Sequence, residues 1–98
     1  MSEDSEIIIE RNGGQGAYLL PLPGEQPARL TFVERGPGHI AIDYSFVPPA
    51  WRGRGVALRL IRRAVDDARA QDFRITPLCA YVAAVFRRHP EWSEVLAR

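Results

Sequence analysis

The chain has 98 residues and no lysine; all 13 of its basic residues are arginine. Alanine, glycine and proline are abundant beside arginine, so the missing lysine reads as nucleotide composition of the source genome. One cysteine, Cys79, excludes an internal disulfide framework. That thiol and two distant histidines, His39 and His89, form no ligand cluster, so no metal is expected. No apolar run approaches the length of a membrane span. The first six residues are acidic and polar, without the basic start and apolar core of a secretory signal. No membrane partner is expected, and the cytoplasm is the expected location. Aromatic residues are only 9% of the chain and are not interleaved with the arginines, as a stacking platform for single strands requires, so nucleic acid is not an expected partner either.

What is present suits one packed domain. Hydrophobic residues make up 46%, which is a globular composition, and the length allows one core but not two. One domain is expected over residues 1–98, with residues 1–5 as a loose tail. The pattern then predicts four short strands. Residues 6–10 are rich in β-branched side chains and are followed by the turn signal Asn12-Gly13-Gly14-Gln15-Gly16. Residues 17–20 and 29–34 follow, and residues 39–47 give the clearest strand. In that strand Ile40, Ile42, Tyr44 and Phe46 are expected on one face, and Ala41, Asp43, Ser45 and Val47 on the other.

At Gly55 the period changes. Ala57, Leu60, Ile61, Ala64, Val65 and Ala68 recur at helical spacing up to about Gln71. A strand is expected over 73–75, stopped by Thr76-Pro77, then a helix over 81–86 and a short last helix over 92–96. The expected fold class is α/β: an antiparallel meander of about four strands followed by α-β-α. The βα crossover implies that the fourth and fifth strands are parallel.

The join between fourth strand and first helix carries the chemistry. Val47-Pro48-Pro49-Ala50-Trp51-Arg52-Gly53-Arg54-Gly55-Val56-Ala57 holds two glycines and no acid. The first turn of a helix leaves N–H groups unpartnered, and the helix dipole adds partial positive charge there. Gly53 and Gly55 have no side chain to keep a ligand away, and Arg52 and Arg54 offer planar donors to phosphate oxygens. Five arginines, at 52, 54, 59, 62 and 63, fall in this neighbourhood with no acid among them, which points to a local anionic partner. Together these features make a site for a diphosphate.

The spacing Arg52-x-x-Gly55-x-Ala57 resembles the coenzyme A pyrophosphate loop of the GNAT superfamily of N-acetyltransferases. Further blocks sharpen the resemblance to its small YjdJ-like or NATD1-like subgroup. They are Val47-Pro48, Gly53-Arg54-Gly55-Val56-Ala57, Pro77-Leu78-Cys79-Ala80-Tyr81-Val82 and His89-Pro90-Glu91-Trp92, in that order. The resemblance implies an acetyl-CoA-dependent N-acetyltransferase: acetyl-CoA as co-substrate, an unknown amine as acceptor, and direct attack in a ternary complex. It also implies that Phe46 and Val47 offer backbone groups to the pantetheine arm at a splayed end of the fourth strand. Arg52, Gly53, Arg54, Gly55, Val56 and Ala57 would hold the diphosphate, and Arg88, with Arg87 beside it, would be within reach of the 3′-phosphate. The alternative is a non-catalytic acyl-CoA-binding or regulatory module, supported by small size and by departures from the subgroup pattern. Tyr44-Ser45 stands where the subgroup has His-Thr, so the cleft has no imidazole there. Phe86 stands near the place of the tyrosine that protonates the leaving thiolate in larger relatives.

Three side chains are catalytic candidates. Cys79 reads on its own as a small buried apolar residue, whereas the resemblance places it beside the thioester, as proton donor or acetyl acceptor. An ordinary thiol pKa of about 8.5 leaves it mostly protonated at neutral pH, which suits the donor. Tyr44 and Tyr81 are alternative hydroxyl donors, although core packing is the plainer expectation for both. Asp43 and Glu34 could relay a proton through water. His39 is expected at the surface and His89 at a helix C-cap.

Overall fold

The computed structural model describes residues 6–97; the expected loose tail lies outside them. Five strands form one sheet in sequence order. β1 (Ile8–Asn12), β2 (Gln15–Leu20), β3 (Ala28–Glu34) and β4 (His39–Phe46) are antiparallel neighbours, and β5 (Arg74–Pro77) lies parallel to β4. Helix α1 (Val56–Gln71) joins β4 to β5, and α2 (Ala80–Arg88) follows β5. Short 3-10 turns cover Pro49–Trp51 and Pro90–Val95. The expected α/β architecture is the one observed.

The strand boundaries differ where turns are tighter than composition suggests. β1 and β2 pair up to Asn12↔Gln15, leaving only Gly13 and Gly14 in the hairpin turn. Two-residue turns carry the ladder to their edge, so β1 extends to Asn12 and β2 starts at Gln15 rather than Ala17. β5 runs through Thr76 and Pro77 instead of stopping before them. Pro77 ends the strand opposite Ile42, and the next two N–H groups, of Leu78 and Cys79, both donate to the Ile42 carbonyl. A proline at a strand end removes no donor that the ladder needs.

α1 packs on β2 and β3. Its apolar stripe buries Val56, Leu60, Ile61, Ala64, Val65 and Ala68 against Tyr18, Leu20, Ala28, Leu30 and Phe32 of the sheet. Each larger aliphatic side chain buried in this layer contributes about 1.5–3 kcal/mol. Ala57, expected in the stripe, is only half-buried, and Val56 takes its place in the core. The Tyr18 ring packs on Phe32, and its hydroxyl donates to Asp67 of α1 at 3.0 Å. Burial and the Asp67 carboxylate together raise the Tyr18 pKa and keep the phenol protonated. α2 packs on β4, β5 and the last 3-10 turn, where Phe86 meets Trp92 edge-on at 5.8 Å. His89 caps α2 with its N–H on the Phe86 carbonyl, as expected, and stacks its ring on Trp92 at 4.1 Å.

One glycine is required by close approach. A Cβ on Gly16 would press into the Phe32 ring and stand 2.8 Å from the Glu10 carbonyl oxygen. Gly16→Ala is expected to lose about 1–3 kcal/mol, the usual penalty for overpacking. Chemical denaturation checks this: an unchanged midpoint would mean that Phe32 moves aside freely.

Candidate functional site

The strict alternation expected in β4 fails at Asp43. Thr31 pairs with Tyr44 but Phe32 pairs with Ile42, so Asp43 is one residue too many for the β3 ladder. Such a bulge moves later side chains to the opposite faces. Ile40 and Ile42 therefore enter the core, while Tyr44 leaves it and Phe46 is half-buried. On the other edge of β4 the pairing stops at the same place. β5 pairs with β4 only from His39 to Ile42, and Asp43–Phe46 continues without a strand partner on that side.

Past Phe46 the chain turns over Pro48, which is buried, and enters the loop. Arg52 folds back, donating from Nε to the Val47 carbonyl at 2.9 Å, and ties the loop to the end of β4. Gly53 and Gly55 have φ of +79° and +76°. That left-handed conformation costs other residues about 1–2 kcal/mol and suits glycine. A Cβ at either would meet nothing within 4 Å, so both face open space. Gly55 is the N-cap of α1, and the first turn of that helix holds no acid. The first helical hydrogen bond runs from the Arg59 N–H to the Gly55 carbonyl, so the N–H groups of Val56, Ala57 and Leu58 precede it. The Arg54 guanidinium lies 5.0 Å over the Trp51 ring, a cation–π contact that holds the charge beside the loop.

These elements enclose a cleft of about 460 Å³. Nine of the residues singled out from sequence line it: Tyr44, Phe46, Val47, Arg52, Gly53, Gly55, Val56, Ala57 and Tyr81. Tyr44 and Tyr81 are 51% and 49% exposed, so the expectation of core packing fails for both rings. Tyr44 is displaced from the core by the bulge, and Tyr81 lies in the first turn of α2. Three candidates do not line the cleft. Arg54 sits on Trp51, outside the cleft wall. Arg88 is in the last turn of α2, about 12 Å along the helix from Ala80. Cys79 reaches the cleft indirectly: its Sγ is 3.5 Å from Oγ of Ser45, which lines it. Ser45 and Trp51 also line the cleft, and neither is a candidate on sequence grounds.

Cys79 is half-buried at the N-cap of α2. Burial of the thiol raises its pKa, but the Ser45 hydroxyl and the nearby backbone N–H groups of Val82, Tyr81 and Ser45 outweigh it, and the net shift is downward. Sγ makes no capping hydrogen bond in the strict sense, so those N–H groups act as dipoles at short range. The unperturbed thiol expected from sequence is thus corrected to a more acidic one. Alkylation by iodoacetamide should follow the thiolate. Its pH midpoint should fall below that of an ordinary cysteine, and Ser45→Ala should move it upward. A midpoint at or above the ordinary value would remove the polar environment argued here.

The other candidates lie elsewhere. Glu34, the last residue of β3, is ion-paired to Arg11 of β1 at 2.6 Å and does not line the cleft. Asp43 accepts a hydrogen bond from Thr31 at 2.6 Å and does not line the cleft. His39, expected at the surface, is half-buried with Nε2 2.7 Å from the Thr76 hydroxyl. Phe86 is buried in the core. Among the described residues no group of three or more His, Cys, Asp or Glu is placed to hold a metal ion. No helix there is long and apolar enough to cross a membrane.

Known proteins share the sequence pattern and the fold. The chain is 26% identical over 91 residues to protein NATD1 of Xenopus tropicalis, covering 92% of this chain and 84% of that protein. It is 27% identical over 85 residues to protein NATD1 of Bos taurus, covering 86% and 75%. A GCN5-like protein of Staphylococcus aureus, solved in solution by NMR, shares the fold with a TM-score of 0.70 at 19% identity. That superposition covers 95% of this chain and 90% of the other. Residues 17–95 match the profile of the GCN5-related N-acetyl-transferases, a span that runs from within β2 to the end of the last 3-10 turn and holds every residue lining the cleft, and the chain belongs to that family, within its NATD1-like subgroup.

Proposed function

We propose that the protein binds acetyl-CoA in the cleft between the parted ends of β4 and β5 and transfers the acetyl group to an amine. One observation carries the reading. The glycine-rich turn at the N-terminus of α1 opens onto the same cleft as the unpaired end of β4. The residues present fit the coenzyme. Gly53 and Gly55 leave vacant the space that a Cβ would fill, the helix start offers N–H groups, and Arg52 and Arg54 supply charge for a diphosphate. The free edge of Ser45–Phe46 offers main-chain groups to the amides of the pantetheine arm.

When bound, acetyl-CoA supplies a thioester, at whose carbonyl carbon an amine forms the new C–N bond as the C–S bond breaks. The chain's own residues position and protonate. The loop fixes the diphosphate, and the β4 edge fixes the arm, so the reacting carbon is held near Ser45 and Tyr81; such positioning accounts for several kcal/mol of a barrier. Cys79 holds a proton at Sγ. Its lowered pKa makes passage of that proton to an ordinary thiolate downhill. The amine proton leaves to solvent, since no imidazole faces the cleft.

The test is titration calorimetry with acetyl-CoA, followed by release of free coenzyme thiol in the presence of amines. One site per chain is expected, with a rate that rises on the acid side as the amine loses its proton. Tight coenzyme binding without transfer to any amine would replace this reading by that of a non-catalytic acyl-CoA-binding module.

A further inference from the structure

The described residues form a second concavity, larger than the cleft. A groove of about 610 Å³ lies where Glu10, Gln15, Ala17, Thr31, Val33 and Asp43 meet. Register explains its position. Glu10, Ala17, Thr31 and Tyr44 form one row across four strands, and Asn12, Gln15, Val33 and Ala41 form the next. These rows are on the sheet face opposite α1, whose own face carries the buried Tyr18, Leu30 and Phe32. Across β1 to β3 the rows stay exposed or half-exposed. The β1–β2 connection is only Gly13-Gly14, so no element inserted there covers this face.

Charge gives the groove a sign. Its one cation, Arg11, is ion-paired to Glu34 at 2.6 Å and leans on the Phe32 ring. Neither Glu10 nor Asp43 has an ion-pair partner among the described residues. Asp43 is held in place by the Thr31 hydroxyl, which leaves its second oxygen free. The groove thus presents net negative charge over an apolar floor that includes Ala17 and Val33.

The two concavities meet at the bulge. Asp43 lines the groove and Tyr44, the next residue, lines the cleft. Consecutive Cα atoms are about 3.8 Å apart, so a cation resting on Asp43 lies within one extended side-chain length of the cleft wall. We propose that the groove is the acceptor site, and that it selects a flexible aliphatic amine carrying a second positive charge. One end enters the cleft past Tyr44 as the neutral nucleophile, while the other stays charged against Asp43, with Glu10 three strand spacings farther out across the sheet. This inference rests on the acetyltransferase reading.

The experiment is an amide NMR titration with 1,5-diaminopentane and with 1-aminopentane, on the protein alone and saturated with coenzyme A. The diamine should shift the amides of Glu10, Ala17, Thr31 and Asp43, and should bind more tightly than the monoamine. Asp43→Asn keeps the acceptor for Thr31 and removes the charge. It should weaken diamine binding by about fivefold, as for one exposed charge pair, with Glu10→Gln weaker in effect and acetyl-CoA affinity unchanged in both. Added salt should weaken the diamine, a dication, more than the monoamine, a monocation. Equal binding of the two amines, shifts confined to other residues, or indifference to both substitutions would overturn the acceptor groove. Failure of coenzyme A to bind would instead strike the acetyltransferase reading, because the diamine titration of the free protein reads the groove by itself.

Discussion

Gly55→Asp should abolish acetyl-CoA binding, by about a hundredfold or more, because like charges forced together across an interface cost several kcal/mol. Gly55 is the N-cap of α1 and borders the cleft, and a Cβ there points into open space. A carboxylate in that space would occupy the position proposed for the diphosphate and cancel the partial charge of the helix start. The substitution also meets the positive φ of +76°, so a separate stability effect is expected. Gly55→Ala separates the two. It carries the same backbone strain, which should lower the melting temperature by about 4–8 °C per kcal/mol, but no charge. Its affinity for acetyl-CoA should fall between those of the wild type and Gly55→Asp. Calorimetric titration of the three proteins decides the matter, and a Gly55→Asp variant that binds acetyl-CoA as tightly as the wild type would sink the site assignment. Arg54→Ala should have a far smaller effect, because that guanidinium already rests on Trp51 outside the cleft wall.

Element type and order are legible in the sequence because each strand or helix carries its own period. The α1 stripe and the alternation in β3 are local patterns, and burial follows them in Leu60, Ile61, Ala64, Leu30 and Phe32. What local pattern cannot show is the bulge at Asp43. A bulge is a count between two strands, and the β3 partner that exposes it lies a turn away in the sequence. Alternation alone therefore puts Tyr44 beside Ile42 in the core, when it belongs to the cleft. The ends of β1, β2 and β5 depart from expectation for a related reason. Glycine and proline mark turns by composition, but only pairing decides how close to them a ladder continues.

The candidate site divides along the same line. The loop is contiguous, so spacing alone names Arg52, Gly53, Gly55 and Ala57, and the cleft contains all four. Ser45 and Trp51 escape a sequence reading because each looks ordinary in its own segment. Ser45 gains interest only through Cys79, which is 34 residues away in sequence and 3.5 Å away in space. The open sheet face is invisible for the opposite reason. It depends on what does not follow β1: a two-residue turn rather than a covering element.

Cys79→Ala should lower kcat by about a hundredfold and leave acetyl-CoA affinity nearly unchanged, the scale at which a positioned general acid contributes. Cys79 touches the cleft through Ser45 rather than lining it, so little coenzyme contact is lost with the thiol. Cys79 also packs on the edge of the core, and a structural role alone would appear as lost stability at constant kcat. The pH profile distinguishes the two further. A donor must carry its proton, and the Cys79 pKa is lowered, so the alkaline limb of the wild-type rate should begin below the range of an ordinary thiol. The acid limb reports the amine, which reacts only when neutral. In Cys79→Ala the alkaline limb should vanish while the acid limb stays. Cys79→Ser should not restore the rate, since a hydroxyl of similar size is a far weaker acid. Mass spectrometry after mixing the wild type with acetyl-CoA alone settles the route: an acetyl group found on Cys79 would show the thiol to be an acceptor and would replace direct attack by transfer through the enzyme.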